Sequence, residues 1–179
     1  MQCQPGRREV IQSAALALAA SAAGLPLWAK GTEAPLPVTG SVLRLPDIRL
    51  LDGRLWSPSG LQGKGLVVYW WASWCPFCAV QSPHIEALWR AQKANGLEVL
   101  ALSIDKQPAH ANAYIKTKGY SFPAGMLTPQ VAKMLPKPRG LPVVVVVKIN
   151  GQDGRSGKVV FAEGGEMFPE DIEGLKKYI

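Results

Sequence analysis

Cysteine is scarce in this chain, three residues in 179, which is too few for a disulfide scaffold. Histidine is scarcer still: only His84 and His110 are present, so a zinc site built on one cysteine pair would have to recruit both. No dense basic run occurs. The 20 Lys and Arg exceed the 13 Asp and Glu for a net +7, but they are scattered, the pattern of a solvated basic surface rather than of a nucleic-acid partner. Internal repeats and low-complexity segments are also missing. What is left is an ordinary globular composition, 47% apolar and 18% charged, in a length that fits one domain with a short appendage and excludes a multidomain enzyme.

The appendage is N-terminal. Arg7 and Arg8 precede residues 10–29, an uncharged run rich in alanine and leucine, and a charged, proline-containing stretch begins at Lys30. This is the layout of an export signal, and the paired arginines resemble the twin-arginine type. Residues 1–29 are expected to be cleaved off after Ala29, taking Cys3 with them. The run is near the roughly 20 residues needed to cross a bilayer, so a retained membrane anchor is the alternative. Gln12, Ser13, Ser21, Gly24 and Pro26 interrupt it and favour cleavage. Both readings put the domain outside the cytoplasm, in the bacterial envelope or periplasm. Residues 30–40, with Pro35 and Pro37, read as a linker, and residues 41–179 as the folded domain.

Residues 45–51 and 54–57 flank Asp52-Gly53, which predicts a hairpin with positive φ at both turn residues. Residues 66–71 form a continuous apolar run, the signature of a strand buried on both faces. From Pro76 to Asn95 the apolar spacing turns helical, with Pro83 inside predicting a kink, and Gly96 stands where a helix should end. A strand over 97–104, a helix over 108–118 and a shorter helix over 128–135 follow. The valine-rich strand 143–149, its return strand 158–162 and a closing helix over 169–179 complete the order. The pattern is an α/β fold with a central mixed sheet flanked by helices, an N-terminal β-hairpin and a helical insertion.

Trp74-Cys75-Pro76-Phe77-Cys78 sits where the first buried strand hands over to a helix. There the unpaired backbone N–H groups and the macrodipole favour a negative sulfur, which makes Cys75 the exposed attacking thiol. Cys78 falls one turn later on the same face and points inward as the resolving thiol. Pro76 suits the first helical turn, where its missing N–H had no partner. A structural disulfide closing so short a loop would stabilise little. Trp74 is expected to be exposed beside Cys75 in the docking surface with Pro76 and Phe77, and Trp70 or Trp71 to be buried.

With Gly140-Leu141-Pro142 opening the valine strand, the motif resembles the thioredoxin fold. The Trp71-Ala72-Ser73-Trp74-Cys75 run, the hairpin and the insertion are similar to the exported TlpA/ResA-type thiol:disulfide oxidoreductases over residues 43–179. That resemblance implies that Pro142 is a cis-proline facing the cysteines and that the Leu141 backbone pairs with an extended substrate. It also implies cysteine-containing envelope proteins as substrates, reduction as the direction, and a membrane thiol-disulfide carrier as the electron source, while the Pro76-Phe77 dipeptide and the missing acids leave oxidation open. No cofactor, metal or nucleic acid is implied, and a monomer is expected. Two acids that such proteins use to deprotonate the resolving thiol are replaced here by Tyr69 and Gln81, so slow or partner-assisted resolution is expected. A copper chaperone using the cysteine pair, with His84, as soft ligands is the reading from another class. A peroxidase would need a Thr-x-x-Cys context, which this motif lacks.

Overall fold

The computed structural model describes Met1 and residues 33–61, 64–150 and 154–178. The expected export signal, with Arg7, Arg8, Cys3 and Ala29, lies outside the described residues. Among the described residues the strands are β1 (Val42–Arg44), β2 (Ile48–Arg49), β3 (Leu55–Trp56), β4 (Gly65–Trp71), β5 (Leu97–Ser103), β6 (Ala124–Met126), β7 (Val143–Ile149) and β8 (Ser156–Gly164). The helices are α1 (Pro76–Gln92), α2 (Pro108–Lys118), α3 (Pro129–Ala132) and α4 (Pro169–Gly174). Six strands form one mixed sheet in the order β1-β8-β7-β4-β5-β6, and β2 and β3 form a separate two-stranded sheet. This is a thioredoxin-like arrangement of a mixed sheet with helices.

The continuous apolar runs take the middle of the sheet because only a strand covered on both faces can bury every side chain. β4 lies between β7, antiparallel, and β5, parallel, and all seven of its residues are buried. Its alternation divides the core. Val67, Tyr69 and Trp71 pack on one side with Cys75, Cys78, Ile85 and Val144; Leu66, Val68 and Trp70 pack on the other with Leu135, Val143 and Val145. Both Trp70 and Trp71 are therefore buried, one on each face.

Several expected details change. The hairpin forms, with Ile48 opposite Trp56, but only Gly53 has positive φ (88°). The Gly53 N–H donates to the Leu50 carbonyl at 3.0 Å, and the Leu50 N–H to the Arg54 carbonyl at 2.9 Å. The connection is thus a three-residue loop ending in a left-handed glycine, which needs no strained aspartate. β6 has no counterpart in the sequence pattern. It carries Gly125 because a Cβ there would stand 2.8 Å from Ile48 Cγ2, so the hairpin's seat erases the apolar signal of that strand. The helix expected over 128–135 shrinks to α3, capped by Thr128, and the closing helix tightens to a 3-10 turn over Leu175–Tyr178.

Candidate functional site: a cysteine pair at a helix N-terminus

β4 delivers the chain through Ala72-Ser73-Trp74 to Cys75, which caps α1 with extended backbone angles (φ −85°, ψ 116°). The cap is the sulfur itself: the Cys78 N–H donates to Cys75 Sγ at 3.2 Å. A side-chain acceptor at this place satisfies one of the helix's orphan donors. The Cys75 N–H donates to the Ala72 carbonyl (3.2 Å), and the Ala79 N–H to the Cys75 carbonyl (3.1 Å), so the loop is tied on both sides of the sulfur. Pro76 occupies the first helical position as expected, and α1 runs on through Pro83.

Cys75 is not the exposed thiol that the sequence suggests; only 4% of it is accessible. Its sulfur turns back toward the helix start, while Trp74 (65% exposed) and Phe77 (56%) carry the surface on either side. Cys78 is buried below, and both cysteines are free. Burial is the main cause that pushes the Cys78 thiol far above its ordinary range, and the neighbouring Cys75 adds to the rise. Leu141 packs against the core that holds both cysteines, and the Leu141–Pro142 peptide is cis. The Pro142 carbonyl accepts from the Gly165 N–H at 2.8 Å.

Tyr69 and Gln81 are both buried, and they differ in what they do. The Tyr69 hydroxyl lies 3.0 Å from Ser82 Oγ and 3.4 Å from the Cys78 carbonyl, and burial raises its pKa well above the ordinary value, so it remains a donor. Gln81 Oε1 accepts the Met167 N–H at 2.8 Å, which ties the loop before α4 to α1. The carboxylate of Glu86 on α1 is occupied elsewhere, by Ser121, the Phe122 N–H and Arg90.

One residue of the site escaped the sequence reading. The buried carboxylate of Asp105 accepts from the Ser73 N–H (3.1 Å), the Ser73 hydroxyl (2.7 Å) and the Ser103 hydroxyl (2.7 Å), two residues ahead of Cys75. Its signal was its place, just past the C-terminal end of a strand parallel to β4, where sites in such sheets gather. Asp105→Ala strands the Ser73 donors, and a loss of about 2 kcal/mol or more in unfolding free energy is expected, with partial recovery in Asp105→Asn. Chemical denaturation read beside kcat/KM for disulfide exchange checks it; equal stability of all three proteins rules out the anchoring role.

Residues 43–132 match the AhpC/TSA family. The chain belongs to that family. Among relatives, this AhpC/TSA member is 30% identical over 94 residues to the thiol-disulfide oxidoreductase ResA of Oceanobacillus iheyensis, a match spanning 52% of this chain and 49% of that one. The chain thus spans about half the length of that relative. To the ResA of Bacillus thuringiensis it is 27% identical over 129 residues, 72% of this chain and 71% of the other. A thioredoxin-family thiol:disulfide interchange protein from Chlorobium tepidum superposes with a TM-score of 0.67 at 21% identity, covering 79% of this chain and 97% of that one. StoA from Bacillus subtilis superposes with a TM-score of 0.60 at 16% identity, covering 78% and 99%. Fold and relatives together set this AhpC/TSA-family chain, on a thioredoxin-like fold, beside proteins named as ResA-type thiol-disulfide oxidoreductases.

Among the described residues, no group of three or more His, Cys, Asp or Glu side chains is placed to hold a metal ion. Among the described residues, no helix is long and apolar enough to cross a membrane.

Proposed function

We propose that the protein is exported and that its Cys75/Cys78 dithiol reduces disulfides of cysteine-containing envelope proteins, such as those of cytochrome or metal-site maturation. The observation that carries this reading is the sulfur of Cys75 capping α1 above a buried Cys78, with an apolar rim beside it. The Cys75 thiolate attacks one sulfur of the partner's disulfide; a mixed disulfide forms and the partner's other sulfur leaves as a thiolate that takes a proton from water. Cys78 gives up its proton, attacks Cys75 Sγ, and expels the partner's second thiolate. Two electrons have passed to the partner, and Cys75–Cys78 is left as an internal disulfide. A membrane dithiol carrier restores the dithiol by the same two exchanges in reverse. Leu141, ahead of the cis-proline Pro142, offers backbone to an extended partner segment. Trp74, Pro76 and Phe77 supply the contact surface, and the protein acts as a monomer.

Equilibration in glutathione or dithiothreitol redox buffers, with the Cys75/Cys78 state read by alkylation and mass, tests the direction. A potential near about −270 mV is expected of a reductant; one near about −120 mV would make the protein an oxidant and overturn the proposal.

A further inference from the structure

The apolar surface does not stop at the motif. Val80 is 53% exposed one turn beyond Phe77 on α1, and Phe168, at the start of α4, is 76% exposed. Between them lies a cavity of about 290 Å3 lined by Val80, His84, Glu166, Met167, Phe168 and Pro169. A second cavity, of about 390 Å3, shares Glu166, Met167 and Phe168 with the first and is lined further by Glu163, Glu170 and Asp171 and, as its one cation, Lys177. The Gln81–Met167 hydrogen bond fixes this acidic loop against α1.

The charge here runs against that of the whole protein. Residues 163–173 hold Glu163, Glu166, Glu170, Asp171 and Glu173 and no Lys or Arg, in a chain of net +7. Among the described residues, Glu163, Glu166, Glu170 and Asp171 form no salt bridge; only Glu173 is paired, with Lys176. Such a rim is complementary to cations and repels acidic segments.

We infer that the groove between α1 and α4 selects partners by docking a basic segment adjacent to the reactive cysteine, with an apolar side chain of that segment against Val80 and Phe168. This rests on the proposed exchange reaction and adds to it a class of substrate. Val80 and His84 lie five and nine residues along α1 from Cys75, about 7 and 14 Å at 1.5 Å per residue, so an extended segment reaches the groove about two to four residues from its cysteine.

The test is single-turnover reduction of two synthetic homodimeric peptide disulfides by the reduced protein. They are identical except for lysines or glutamates two to four residues on either side of the cysteine. The protein's net charge alone favours the acidic peptide; the groove favours the basic one. The lysine peptide is expected to react about tenfold faster at low salt, the size given by two exposed charge pairs, with the gap closing toward about 1 M salt. Glu166→Lys/Glu170→Lys is expected to reverse the order. Equal rates, a faster acidic peptide, or a preference untouched by the double substitution overturns the inference. If neither peptide is reduced, the exchange reading itself fails, a distinct result.

Discussion

Cys78→Ala is expected to leave the first exchange running and to stop the second, so that a disulfide partner accumulates on Cys75 as a mixed disulfide. The reason is positional. Cys78 follows Cys75 by one helical turn, and its N–H already contacts the Cys75 sulfur at 3.2 Å, so the resolving thiol attacks within one molecule. A well-placed intramolecular group corresponds to effective molarities of about 10⁵ M or more, far above any external thiol in solution. Turnover should therefore fall by at least about a thousandfold, whereas the initial burst of partner thiol should persist. Cys75→Ser should remove both events. Non-reducing electrophoresis and intact mass of the adduct are the readouts, and wild-type turnover by Cys78→Ala would show that the pair does not act as assigned.

The second large effect is in pH. Burial raises the Cys78 thiol well above its ordinary value of 9.0, so at neutral pH its thiolate is rarer than that of a free cysteine. Resolution needs that thiolate. Its rate should climb about tenfold per unit between pH 7 and pH 9 and should not level off near pH 9.0, where an ordinary thiol does. Decay of a pre-formed mixed disulfide on Cys75, followed by stopped flow, measures it directly, and a plateau below about pH 8 would falsify the assignment of Cys78. The missing acids sharpen this dependence, since the neutral Gln81 amide is no base for the Cys78 proton and the Tyr69 phenol, itself raised by burial, stays protonated. The same burial sets the sign for stability. Below pH 9.0 the Cys78 thiol is protonated in both folded and unfolded chains; above it only the unfolded chain loses the proton, so the reduced protein weakens by about 1.4 kcal/mol per pH unit.

Much of the site was legible because the chemistry is local in the chain. Two cysteines three residues apart, after an apolar run and with a proline between them, place a sulfur pair on a helix start whatever the rest of the fold does. The cis peptide at Pro142 was not legible in this way. It came from resemblance, because nothing in Gly140-Leu141-Pro142 distinguishes a cis proline from a trans one.

The sequence by itself determined which apolar runs became the central strands, the helix that carries the cysteines and the burial of Cys78, because apolar periodicity and capping act between neighbours in the chain. Tertiary structure alone decided the rest. It withdrew Cys75 from the surface, brought Asp105 under Ser73 across 32 residues, put Tyr69 against Ser82 of α1, tied Gln81 to Met167, and set the segment around Glu166 against Val80. Those contacts join segments distant in the chain, and the packing that brings them together has no local pattern to announce it.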